Sequence, residues 1–159
     1  MLERIVSGGQ TGADRAALDA ALALGLAIGG WVPRGRGAED GTVPERYAGL
    51  RECESSDPSL RTAFNVRDSD ATLIVSHGPL AGGSLRTLEE AERLGRPVLH
   101  LDLTRDEPPA AVARLRAWLR EKDPGTLNVA GPRASEDPAI AEAVDSLLRA
   151  ALRRGVQSR

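Results

Sequence analysis

Five short apolar runs, each followed by a stretch of helical periodicity, constrain this chain more than any other feature. They fall at residues 4–7, 28–32, 71–76, 98–103 and 127–130. Strands that alternate with helices pair in parallel, and right-handed crossovers lay the helices on both faces of the sheet. The expected fold class is therefore α/β, a three-layer α/β/α arrangement around a mainly parallel sheet of five strands or slightly more. A single domain is expected over residues 1–154, with a frayed tail at 155–159. The chain of 159 residues can bury such a core, and with aromatics at 3% that core must be Ala, Val, Leu and Ile.

The helical segments carry their own punctuation. The first spans about 11–24, with Leu18 and Leu22 on one face and Gly25 as its stop. A short helix is expected at 60–66, and another runs to about Leu94, where Gly95 ends it. A fourth follows Asp106-Glu107-Pro108-Pro109, with Val112, Leu115 and Leu119 at helical spacing. The last starts near Asp137-Pro138, an N-cap followed by proline, and carries the stripe Ile140, Val144, Leu147, Leu148, Ala151 and Leu152. Residues 33–58 read as one long irregular segment, of the kind that is usually functional or disordered.

Two strand-to-helix junctions are glycine-rich. Ser7-Gly8-Gly9-Gln10-Thr11-Gly12-Ala13-Asp14-Arg15 opens the first helix, and Leu80-Ala81-Gly82-Gly83-Ser84 opens the third. Glycine lets a backbone turn sharply and approach a ligand, and a helix N-terminus offers unpaired N–H groups to an anion. Neither junction is a P-loop, which needs Gly-Lys-Ser/Thr, nor a dinucleotide fingerprint, since position 7 is Ser. The second strand ends in Arg34-Gly35-Arg36 rather than in an acidic residue that would hold a ribose. In a parallel sheet the loops 8–14, 33–47, 76–87 and 128–133 share the carboxyl edge where ligands bind. The expected contacts to one elongated anionic ligand are Gly8, Gly9, Gln10, Thr11 and Gly12 for one anionic group. Gly82, Gly83, Ser84 and Thr87 serve a second group, with Arg34, Gly35, Arg36, Asn128, Gly131 and Arg133 alongside.

Other function classes fare worse. A formal charge of −2 argues against non-specific nucleic-acid binding, and no run approaches 18 apolar residues or forms a signal-peptide core. One cysteine, Cys53, excludes an internal disulfide and fits a reducing cytosol, so a soluble cytoplasmic protein is expected. The two histidines, His77 at the ligand edge and His100 inside a strand, make no metal site with Cys53. Glu39 and Asp40 read as a solvated pair, Asp68 and Asp70 as turn formers, Glu89 and Glu90 as first-half helix acids. No Ser-His-Asp order stands out, so binding is favoured over catalysis; Glu90, Glu39 and Asp40 are the candidate catalytic carboxylates. About five helices leave apolar surface on a sheet this size, which predicts a homo-oligomer, a dimer or tetramer.

The motifs also resemble one family in their order. SGGQTGADRAALDAA at 7–21, GGWVPRGRGAEDGTVPERY at 29–47 and NVRDSDATLIVS at 65–76 are similar to segments of the putative molybdenum carrier proteins, also described as circularly permuted YpsA-like proteins. GGSLRTLEEAERLGRPVLHLDL at 82–103 and NVAGPRAS at 128–135 complete the resemblance. It implies a Rossmann-like sheet, within a superfamily of nucleotide-sensing proteins and cytokinin-activating phosphoribohydrolases. It also implies binding of molybdenum cofactor, a pterin with a dithiolene and a terminal phosphate, or of a nucleotide-like ligand. The related hydrolases carry Gly-Gly-x-Gly-Thr-x-x-Glu where this chain has Gly82 to Glu90. Thr87 and Glu90 keep the last part, but the third glycine is absent and the spacing is one residue longer. Cleavage of an N-glycosidic bond in nucleoside monophosphates is the alternative reading.

Overall fold

A computed structural model of the chain describes residues 1–153 and places six parallel strands between two helical layers. The elements are β1 (Arg4–Val6), α1 (Ala13–Ala23), β2 (Ala27–Val32), β3 (Gly37–Ala38), β4 (Gly41–Thr42), β5 (Leu50–Glu52) and α2 (Pro58–Arg67). They continue with β6 (Ala71–Ser76), α3 (Gly82–Leu94), β7 (Val98–Asp102), α4 (Pro108–Lys122), β8 (Thr126–Ala130) and α5 (Ile140–Leu152). The main sheet runs β5-β2-β1-β8-β6-β7, a Rossmann-like α/β fold, and β3 with β4 forms a small antiparallel hairpin. No helix among the described residues is long and apolar enough to cross a membrane.

Alanine explains how one layer packs so closely. α1 turns Ala13, Ala17 and Ala20 inward, all fully buried, and against them sits the apolar stripe of α5, including Ile140, Val144 and Leu148. α4 joins the same layer through Ala111 and Leu115, while α2 and α3 pack together on the other face. β6 is buried along its whole length, as its unbroken apolar run requires.

Three expectations change here. The segment 33–58 is not irregular throughout: it contributes the β3–β4 hairpin and the edge strand β5, which adds a sixth strand beside β2. Leu22 does not share the buried face of Leu18; it is 46% exposed, while Leu18 is fully buried in a second cluster with Val32, Val43 and Tyr47. Asp137 does not directly precede the last helix, because Pro138 and Ala139 form a turn first. Its carboxylate accepts from the Ala139 amide at 3.0 Å, and α5 begins at Ile140. The expected tail at 155–159 lies outside the described residues. The large hydrophobic side chains exposed among the described residues are Met1, Leu22 and Leu85, so the apolar face invoked for oligomerisation is not seen.

Topology sets the site. The chain winds outward through β2 and β5, returns to β6 and β7 on the other side, then inserts β8 between β1 and β6. The loops leaving β1, β8 and β6 therefore meet at the switch in strand order, where open parallel sheets form their ligand crevice.

Candidate functional site

The two glycine junctions look alike in sequence and differ in structure. At the start of α1 most of the amides are already engaged by the protein. Gly9 N–H donates to Ser7 Oγ (3.3 Å), Gln10 N–H to Asp14 Oδ2 (3.2 Å), Thr11 N–H to Gln10 Oε1 (3.1 Å) and Ala13 N–H to Pro132 O (3.1 Å). The glycines there face protein: Gly8 the Arg61 side chain, Gly9 the Val32 and Val43 side chains, and Gly12 the backbone of the loop after β8. A Cβ on Gly12 would stand 2.5 Å from Pro132 O, and Gly131 approaches Val75 O equally closely.

The start of α3 is open. The Gly82, Gly83 and Ser84 amides have no partner among the described residues, and Ala81 supplies no side-chain cap. A Cβ on Gly83 would meet nothing within 4 Å. Below this helix end lies a cavity of about 320 Å³, between α2 and α3 at the carboxyl ends of β1 and β8. Of the expected contacts, Gly8, Gln10, Gly82, Gly83, Ser84, Thr87, Asn128, Gly131 and Arg133 line it. Gly9, Thr11, Gly12, Arg34, Gly35 and Arg36 do not. Arg36 is spent on the long loop itself, donating to Val43 O (3.3 Å) and Pro44 O (3.1 Å).

Two arginines and one carboxylate that sequence reading passed over stand in the cavity wall. Arg61 of α2 donates through Nη1 to Gly8 O (2.7 Å) and lies 3.7 Å from Asp14 Oδ2, both side chains nearly buried. Arg86 of α3 is exposed, with no salt bridge among the described residues. Burial raises the Asp14 carboxyl to about 6, against the opposing attraction of Arg61. Neither Arg61 nor Arg86 adjoins a glycine that draws attention in the way Arg34 does, and Asp14 reads in sequence as a first-turn helix acid.

The candidate catalytic carboxylates lie elsewhere. Glu39 clasps the hairpin tip to the loop after β8, accepting from Thr11 Oγ1 and from the Ser135 amide and hydroxyl. Those bonds, led by the Ser135 hydroxyl, hold its carboxyl below the ordinary range. Asp40 takes two bonds from Arg15, at 2.5 and 2.7 Å, which lower it in the same way. Glu90 pairs with Arg93 on α3, outside the cavity wall.

His77 also leaves the cavity, its Nδ1 lying 2.6 Å from Asp137 Oδ2. Ser76 and His100 come together, with Oγ 2.7 Å from Nε2, a pairing that sequence order did not suggest. The Ser76 hydroxyl donates its single proton to Gly78 O (2.7 Å), so Nε2 must be the donor in that pair. Burial further disfavours the charged ring. The pair ties β6 to β7 and does not activate a nucleophile. Cys53 is buried, and burial raises its thiol, which keeps it unreactive.

Comparison with known proteins agrees with this fold. No curated protein matches the chain. A crystal structure of a putative molybdenum carrier protein from Syntrophus aciditrophicus SB is 50% identical, covers 95% of each chain and superposes with a TM-score of 0.93. The model of the circularly permutated YpsA SLOG family matches residues 5–152, which is nearly the whole described chain. The protein belongs to the circularly permutated YpsA SLOG family.

Proposed function

We propose that this protein binds a small phosphorylated ligand, a pterin or a nucleotide, with its phosphate seated at the start of α3. The observation that carries the reading is the contrast between the helix ends. At α1 the Gly9, Gln10, Thr11, Ala13 and Arg15 amides are bonded by the protein, whereas the Gly82, Gly83 and Ser84 amides of α3 all stand unpartnered over a cavity that also holds the Ser84 and Arg86 side chains. Such an end attracts an oxyanion through its N–H groups and its dipole. The similarity to a putative molybdenum carrier protein makes molybdenum cofactor the leading candidate. Among the described residues no group of three His, Cys, Asp or Glu could hold a metal, so a carried metal would stay on the pterin dithiolene.

Isothermal titration with ribose 5-phosphate tests the phosphate seat. Arg86→Ala is expected to weaken binding by about 1.5–3 kcal/mol, the worth of a hydrogen bond to a charged group. Its melting temperature should not move, because Arg86 is exposed. Arg34→Ala, outside the cavity, should leave affinity unchanged. An unaltered affinity in Arg86→Ala removes the assignment.

One observation favours a second reading, cleavage of an N-glycosidic bond. Asp14 is a carboxyl in the cavity wall at about 6, near the pH at which a general acid works best. We expect no base release from AMP or GMP. Multiple turnovers that vanish in Asp14→Asn would establish an enzyme instead.

A further inference from the structure

We propose that Asp14 and Asn128 select the ligand's ring, favouring a heterocycle with adjacent N–H donors, the 2-amino-4-oxopyrimidine edge shared by guanine and pterins. This rests on the phosphate reading above and adds the identity of the group at the cavity's other end.

Both are buried residues, Asp14 8% and Asn128 3% exposed, and both line the cavity. Asp14 Oδ2 accepts from the Gln10 amide, while Oδ1 has no hydrogen bond among the described residues. Asn128 spends one Nδ2 hydrogen on Thr72 Oγ1 at 3.4 Å and keeps the other, and its Oδ1 likewise has no hydrogen bond. The floor thus presents two acceptor oxygens, with the second Asn128 Nδ2 hydrogen and the Arg61 guanidinium as donors beside them. Both oxygens open to the cavity, and a ligand that covered them without donating would strand them, so the complement is a ligand edge with two donors. Guanine offers N1–H with its 2-amino group, and a pterin offers N3–H with the same amine. Adenine instead turns its N1 lone pair toward the carboxylate, which is repulsive as well as unbonded. The rim has a different character, with open amides, Arg86, and Arg133 paired to Glu136, so the cavity suits a molecule that is anionic at one end and donating at the other. Its volume of about 320 Å³ is of the size that holds a mononucleotide.

Titration of GMP, AMP and ribose 5-phosphate into the full-length protein tests the assignment. GMP should bind about tenfold or more tightly than AMP, as expected for bonds to a charged acceptor. Asp14→Asn should collapse that preference, and Asn128→Ala should reduce it; ribose 5-phosphate, which has no ring base, checks that each variant keeps its phosphate end. Equal affinity for GMP and AMP in the unaltered protein, or a preference that survives both substitutions, overturns the ring assignment alone. Failure of all three ligands to bind overturns the phosphate reading together with it.

Discussion

Gly12→Ala is expected to cost about 2–6 kcal/mol of folding stability, a large share of a domain's whole margin of about 5–15 kcal/mol. Two independent effects add. Gly12 has φ +80, where an L side chain meets its own backbone, at about 1–3 kcal/mol. The new Cβ would also stand 2.5 Å from Pro132 O and 2.8 Å from Ala134 N, so two loops must separate, at about 1–3 kcal/mol more. Because Ala13 N–H donates to Pro132 O, that separation also strains the bond closing the α1 turn. Gly83→Ala makes the contrast. Gly83 has no positive φ and open space around its Cβ position, so alanine in α3 should raise stability by about 0.5–1 kcal/mol. Urea denaturation of both variants decides the matter. A Gly12→Ala loss below about 1 kcal/mol would show that the loops yield freely and that Gly12 is not the wedge between them.

These two glycines show what the sequence could and could not reveal. The five strands that read clearly each carry a run of apolar residues, and their alternation with helices dictated the parallel sheet. β5 escaped notice because an exposed three-residue edge strand needs little apolar sequence; Leu50 is its sole apolar residue. The hairpin pairs only two residues on each side, too few for an alternation to register. At the site, Gly-Gly before a helix marked two sharp turns, but pattern alone does not say whether a turn is filled by protein or open. Asp14 fills the first by reaching back to Gln10 N, and no residue of α3 does the same for the second. Arg34 and Arg36 were conspicuous beside Gly35, yet Arg36 folds back on Val43 and Pro44. Arg61 and Arg86 lie inside helices, where a charged residue ordinarily marks a solvated face, and only the packing of α2 beside α3 brings them to the cavity.

Arg61→Ala should destabilise the fold by about 3 kcal/mol at pH 8, the low end of the cost of leaving a buried charge unpaired. The low end applies because Asp14 keeps its bond from Gln10 N and the charge of Arg15 nearby. The loss should shrink on acidification, and the sign follows from Asp14. Its carboxyl stands at about 6 in the folded chain against 3.8 in an unperturbed one. The folded state therefore binds the proton more tightly than the unfolded state, and this group's contribution declines as pH rises through 6, the reverse of an ordinary salt-bridged carboxylate. That gap corresponds to about 3 kcal/mol charged against the fold once Asp14 is ionised. Arg61 attracts the carboxylate and holds the gap down, so its removal widens the gap and moves the titration upward. At pH 5, with Asp14 protonated, only the lost bond to Gly8 O and the lost packing should remain, about 1–2 kcal/mol. Asp14→Asn in the same chain should restore most of the loss seen at pH 8, since no charge is left to strand. A deficit equal at pH 5 and pH 8, and untouched by Asp14→Asn, would show that Arg61 acts by packing over Gly8 alone. A carboxylate that costs the fold this much at neutral pH is the arrangement expected if the proposed ligand supplies the donor that Asp14 lacks.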